Sequence, residues 1–471
     1  MPNASGSVIS ELPDSTDSDF VKTPFVELSI NGTTLVLNNN KPGYAVGPGT
    51  SGSYYNTDGL YLLDFAESVS MGSGEGSVAS FNIIDTKWDA LESLITEIAW
   101  DTTTFPLMYR FGWRDANRIN VRDYPWHRGV VSSWQVDFIP MLGSKINMQV
   151  VDLGVVLRSK GCANDSFDPT WPVSYVIGEV TSKYGDPGVI YDIEYSPVLV
   201  GPHNTMQGNT PMAYIRKLMT LAGSGINTGY VMAPYIGEDG MSHIYIGSDS
   251  KATFLMKRGV HNTYVWGRKS DSPALNFNVN LDAQQLIKSG ARSTASLMVD
   301  PITKLPIPFL TTQDQRERDK SSKGVSLTPY LPDRYVLNPH QTPMMSINSV
   351  GRDRSLYHNQ IYTANLTIIG DPLIYPLSHV GVIVLKDSQF TDQARLVTPL
   401  DVHKISGLFQ VTSVQHSVTP GQFNTTLELR RNGSAFGSNE TGKIVYKDLG
   451  GEVIGSSRTS LFYPVIDIDG N

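Results

Sequence analysis

Apolar and polar positions alternate along this chain in one order that occurs twice. Val131–Pro140 reads V-S-S-W-Q-V-D-F-I-P, and Val411–Pro420 reads V-T-S-V-Q-H-S-V-T-P. The pairs Val131/Val411, Ser133/Ser413, Trp134/Val414, Gln135/Gln415, Phe138/Val418 and Pro140/Pro420 match. A turn glycine follows each copy, Gly143 and Gly421, and then a second alternating run: Ile146, Met148, Val150 against Thr425, Leu427, Leu429. Strand, Pro/Gly turn, strand is the pattern of a β-hairpin. Upstream of each copy an apolar run ends in glycine, Tyr109-Arg110-Phe111-Gly112 and Ile368-Ile369-Gly370. The repetition predicts two related β modules in one chain.

The same patterning divides the rest of the chain. Residues 1–24 are rich in Ser, Asp and Pro and predict an arm. Residues 25–164 predict the first β-barrel, with a strand pair about Asn31-Gly32 and strands over Ser77–Ile84, Leu107–Trp113, Gly129–Phe138 and Lys145–Leu157. One helix interrupts it, with Trp88, Leu91, Leu94, Ile95 and Ile98 as its apolar stripe. Residues 165–275 predict a small α+β insert. There Thr210 and Pro211 open a helix and Gly223 closes it, and a hairpin runs Tyr230–Ile236, Glu238-Asp239-Gly240, Ser242–Gly247. Residues 276–311 return as strands to the barrel region, and 312–355, with a mixed-charge run and four prolines, predict an extended linker or arm. Residues 356–433 predict the second barrel, and 434–471 a Gly/Ser-rich tail. The fold class is therefore mainly β with an α+β insert: two antiparallel barrel modules and extended arms.

Composition narrows the function. Charged residues make up 17% of the chain, against about 25% in ordinary domains. The net charge of −8 disfavours a nucleic-acid-binding surface, which is normally basic. The single cysteine, Cys162, excludes an internal disulfide framework and fits assembly in a reducing cytoplasm. The acidic start from Ser5 to Asp19 is unlike a signal peptide, and no run of about 18 apolar residues exists to span a membrane.

Chemical motifs are few. Gly72, Gly74 and Gly76 lack G-x-G-x-x-G spacing and precede a strand, where a dinucleotide loop precedes a helix. No two histidines stand at i, i+2 or i, i+4, and neither H-E-x-x-H nor G-x-S-x-G occurs. Glu238 and Asp239 fall in a turn, where solvation accounts for them. Trp113, Trp126, Trp134, Tyr109 and Tyr124 fit a barrel core or a subunit interface better than a sugar platform. No catalytic, cofactor-binding or metal-binding residue is assigned. The structural positions singled out are Gly112, Pro140, Gly143, Gly370, Pro420 and Gly421, and Gly421→Val is expected to disturb the second hairpin.

Taken in order, the Tyr109–Trp113 run, the helix and hairpin around Gln207–Gly247, and the late Ala364–Gly370 and Ser406–Arg431 stretches resemble the tail hub proteins of contractile-tailed phages. These are the T4 baseplate hub and the Mu-like and P2-like late-control D proteins. The resemblance spans residues 25–433 and rests most on A-N-L-T-I-I-G-D-P and on S-G-L-F-Q-V-T-S-V-Q-H-S-V-T-P-G-Q-F-N-T-T-L-E-L-R-R. The arm, the tail and the long 312–355 segment depart from the family pattern.

The resemblance implies a homotrimer whose six barrels surround a channel and adapt a sixfold tail tube to a threefold central spike. It implies as partners the spike, the tube or a tube-terminating protein, and tape-measure and baseplate wedge proteins. DNA would pass through the lumen without specific binding, in a virion component assembled in the host cytoplasm. Two rival readings are a tail-associated peptidoglycan hydrolase and a carbohydrate- or receptor-binding β protein. The last predicts an exposed aromatic strip, where a hub buries Trp113 and Trp134.

Overall fold

A computed structural model describes residues 22–30, 33–37, 44–46, 54–56, 60–71, 76–85, 106–115, 124–140, 143–152, 154, 157, 161, 164–222, 230–237, 239–248, 260–266, 274–281, 294–299, 306–309, 334–337, 362–384, 403, 405–419, 422–431, 445–447 and 463–465. The chain is mainly β. The helix expected over Trp88–Ile98, Gly72, Gly74, Cys162, Gly223, Glu238, Pro420, Gly421 and the 314–320 charge run lie outside the described residues.

The first module contains β1 (Lys22–Ile30), β2 (Thr33–Leu37), β3 (Tyr44–Val46), β4 (Tyr54–Asn56), β5 (Leu60–Ser70), β6 (Ser77–Asp85), β7 (Pro106–Asp115), β8 (His127–Ile139) and β9 (Gly143–Asp152). All pair antiparallel, in the order β5-β6-β9-β8-β7-β1-β2-β3-β4. Period-two sequences make these strands: Ala79, Phe81 and Ile83 of β6 and Ile146, Met148 and Val150 of β9 point to one buried face. The core packs Phe65, Phe81, Tyr109 and Phe111 together, with Phe65 4.9 Å from Phe111 and 5.0 Å from Phe81 between ring centres. Each such ring contributes roughly 1.5–3 kcal/mol on burial.

The insert holds α1 (Val173–Tyr184), β10 (Val189–Ile193), α2 (Pro211–Leu221), β11 (Tyr230–Ile236) and β12 (Ser242–Ser248). The Thr210 hydroxyl caps α2 by accepting from Ala213 N, and Met212, Ile215, Leu218 and Met219 form its buried stripe. β11 and β12 make the expected hairpin, and β10 joins β12 in parallel. α1 has no side-chain cap and contains Gly178, which is why patterning did not reveal it. Asp239 is more than a solvated turn residue: it accepts from Met241 N at 2.9 Å and meets His243 Nε2 at 3.1 Å.

The second module contains β13 (Val260–Trp266), β14 (Ala274–Leu281), β18 (Tyr362–Ile369), β19 (His379–Val384), β20 (Gly407–Thr419) and β21 (Gln422–Arg431). Between them, β15 (Thr294–Val299), β16 (Pro306–Phe309) and β17 (Arg334–Leu337) form a separate sheet. A strand thus forms at Arg334–Leu337, within the stretch expected as a linker. β22 (Val445–Lys447) pairs with β23 (Tyr463–Val465). The order β14-β18-β21-β20 continues directly into β5, so one hydrogen-bonded sheet runs through both modules. Among the described residues no helix is long and apolar enough to cross a membrane.

Candidate assembly interface

The two hairpins repeat each other residue for residue. In β8/β9 the register runs Val131↔Val150, then Ser133↔Gln149, Trp134↔Met148 and Gln135↔Asn147. In β20/β21 it runs Val411↔Leu429, then Ser413↔Glu428, Val414↔Leu427 and Gln415↔Thr426. Each first strand carries one extra residue at the same place, Ser132 and Thr412. Its hydroxyl donates to the carbonyl across the ladder: Ser132 to Gln149 O at 3.3 Å, Thr412 to Glu428 O at 3.0 Å. Such β-bulges bend a strand and fix register.

The strands behind the hairpins repeat as well. Phe81 of β6 faces Met148, and Leu366 of β18 faces Leu427. Phe65 of β5 faces Phe81, and Phe277 of β14 faces Leu366. A register shift lies between Leu62 and Asp64 in the first pair and between Ala274 and Asn276 in the second. β6 therefore corresponds to β18 and β5 to β14.

Each hairpin also meets a neighbour along the outer edge of its first strand. β7 covers only His127–Val130 of β8, and β19 covers only Gly407–Gln410 of β20. Beyond that base β20 turns to β5, with Ser413↔Ser70, His416↔Glu67 and Val418↔Phe65 opposed. Beyond its own base, β8 has no strand on its outer edge among the described strands.

The β5–β20 seam is polar at its centre. Glu67 is buried, and its Oε1 accepts from the Tyr109 hydroxyl at 2.6 Å and meets His127 Nδ1 at 3.1 Å. His416 Nδ1 is 3.0 Å from Thr425 Oγ1. The Phe111 ring lies 5.3 Å from His127 and 4.8 Å from His416. Burial pushes the Glu67 carboxyl up, but His127, His416 and the Tyr109 hydroxyl outweigh it and hold it below the ordinary carboxylate range. Burial lowers His416 to about 4, against the attraction of Glu67 and Asp371, so the ring is neutral near neutral pH. Burial and then Glu67 push the Tyr109 hydroxyl well up. A small cavity beside this cluster is lined by Glu67, His127, Asp152, Tyr235 and His243. Among the described residues no group of three or more His, Cys, Asp or Glu side chains could hold a metal ion.

Of the singled-out positions, Gly112, Pro140, Gly143 and Gly370 lie among the described residues. Gly143 opens β9 with φ +110°, a turn conformation that suits glycine, and Pro140 lies exposed at the preceding turn. Gly112 sits in β7 against the Tyr124 ring, where a Cβ would lie 2.6 Å from it. Gly370 follows β18, where a Cβ would lie 2.1 Å from the Phe423 ring. Its carbonyl accepts from Trp113 Nε1 at 2.7 Å, a second tie between the modules. By strand order β7 corresponds to β19, not to β18, so Gly112 and Gly370 occupy different places in their modules. Trp113 is partly buried against Phe423, but Trp134 is 41% exposed and Phe138 67%, where their counterparts Val414 and Val418 are fully buried. The expectation that Trp134 is buried fails within one chain, because among the described strands none covers the outer half of β8 as β5 covers β20.

No protein-family model matches the chain, and no curated protein matches its sequence. Among solved structures, a tail protein from Neisseria meningitidis is similar with a TM-score of 0.50 at 10% identity, over 88% of this chain and 98% of that one. A 43 kDa tail protein of a prophage from Shewanella oneidensis gives 0.44 at 12% identity, over 87% and 99%. An Escherichia coli component of the type VI secretion system gives 0.43 at 8% identity, over 82% and 80%. The first of these likenesses shows a shared fold.

Proposed function

We propose that this chain is a structural protein of a phage tail baseplate. It is a hub whose three copies close into a ring of six modules around a channel. The observation that carries this reading is the β5–β20 seam. Two modules built to one plan join edge to edge in one sheet, and a fold shared with a tail protein supplies the context. A duplicated module lets a threefold ring present near-sixfold symmetry, which suits a junction between a sixfold tube and a threefold spike. The net charge of −8 is in keeping with a lumen that repels DNA phosphates and lets the genome slide through. In this reading the protein is not an enzyme.

Light scattering and negative-stain imaging of the purified full chain test it. A trimeric ring with a central hole is the expected result. A monomer that digests cell walls in a gel-lysis assay sinks it in favour of a tail-associated hydrolase.

A further inference from the structure

The seam inside the chain has a counterpart whose two halves lie on opposite ends of the sheet. β20 is covered by β5. β8 corresponds to β20, and β14 corresponds to β5. β14 ends the sheet path, with β18 on one side and no strand on the other among the described strands. The distal half of β8 is the other edge with no strand beside it among the described strands. Such an edge is a template for another chain.

Resting on the ring reading above, we infer that β8 of one copy pairs antiparallel with β14 of the next copy, repeating the β20–β5 seam in a head-to-tail contact. The register follows from the internal one. Val418↔Phe65 becomes Phe138↔Phe277, Ser417↔Ala66 becomes Asp137↔Asn278, His416↔Glu67 becomes Val136↔Val279, and Gln415↔Ser68 becomes Gln135↔Asn280.

The side chains fit this register independently of how it was obtained. Phe138 and Val136 meet Phe277 and Val279 on one face, and Asp137 and Gln135 meet the exposed Asn278 and Asn280 on the other. A slip of one residue would set every apolar side chain of one strand against polar ones. The partner strand also covers Trp134, whose exposure is otherwise unexplained. The contact joins two different surfaces, so it builds a ring when the rotation closes.

Paired cysteines test the register in the full-length chain with Cys162→Ser. Residues directly opposite in an antiparallel pair have Cα atoms about 4.5–5.5 Å apart, within disulfide reach. Gln135→Cys with Asn280→Cys, both at exposed positions, should give on mild oxidation a covalent ladder ending at the trimer. Asp137→Cys with Asn278→Cys should do the same. Gln135→Cys with Asn276→Cys is displaced by roughly 13 Å along the strand and should stay monomeric on a non-reducing gel.

Trimeric mass by light scattering without these crosslinks overturns the pairing and leaves the ring reading standing. A product that stops at dimer, or one formed equally by the displaced pair, also overturns the pairing. Monomeric mass at every concentration with no crosslink overturns pairing and ring together.

Discussion

Glu67 of β5 lies directly opposite His416 of β20, at the middle of the strand pair that joins the two modules. Both side chains are buried, and Tyr109 and His127 from the first module complete the group. The centre of the seam is thus a charge held among hydrogen-bond donors and rings.

Acid should open this seam. His416 takes its proton at about 4 in the folded chain and at about 6.5 unfolded. Its contribution is complete above pH 6.5 and is lost as pH falls toward 4, because the unfolded chain binds the proton first. At full extent the loss is roughly 3 kcal/mol. Glu67, held low, adds its own loss only below the ordinary carboxylate range. Melting temperature should fall steadily from pH 7 to pH 5, and His416→Gln should reduce that slope, leaving the part that comes from His379, which burial also lowers to about 4. An unchanged slope in the variant would assign the effect elsewhere.

Neutralising Glu67 and removing it should differ. Glu67→Gln keeps an acceptor for the Tyr109 hydroxyl and should cost about 1 kcal/mol. Glu67→Leu leaves Tyr109 and His127 buried without that acceptor and should cost about 3 kcal/mol or more. Urea unfolding of both variants measures the gap, and equal costs would show that the carboxylate contacts contribute little.

Gly370→Ala should destabilise by about 1–3 kcal/mol through overpacking. The added carbon would lie 2.1 Å from the Phe423 ring, which also packs on Phe111 and Trp113. The indole fluorescence of Trp113 should change with it, since that ring donates to the Gly370 carbonyl. Native-like melting and emission would mean that the ring moves aside freely.

Thr412→Ala and deletion of Thr412 should differ in what they change. The alanine loses one hydroxyl bond to Glu428 O, worth about 1 kcal/mol. The deletion removes the bulge: Val411↔Leu429 and Ser413↔Glu428 leave Thr412 unopposed, so the ladder closes up with its faces kept and loses the bend. Cooperative unfolding at lower urea is the expected outcome, and loss of cooperativity would show that the bend is needed for β20 to reach β5.

The hairpins were legible because their alternation is regular and their turns are marked. Val131–Pro140 and Val411–Pro420 fall on β8 and β20 with the same register, and Thr210 and Pro211 mark the start of α2. β5 was missed because Asp64 and Glu67 interrupt its apolar pattern: the bulge at Leu62/Asp64 shifts the period, and Glu67 fills a buried slot. β19 was missed because it is buried on both faces and does not alternate. The polar seam therefore had no signature, since a carboxylate and a histidine 349 positions apart in sequence become neighbours only through strand order.

If the ring forms as inferred above, that polar centre also sorts correct from incorrect seams. In a ring built as inferred above, polar seams within chains alternate with apolar seams between them. If β5 closed on β8 of another copy, Glu67 would be buried opposite Val136; if β14 closed on β20, His416 would face Val279. Tyr109 and His127 stay with Glu67, and Thr425 stays with His416, so either mispairing forfeits the Glu67–His416 attraction and sets a polar side chain against an apolar one, at about 1–3 kcal/mol. Tethering favours the polar seam at the millimolar effective concentration of a linked pair, so each chain closes on itself first and offers its neighbours only the edges that belong between molecules.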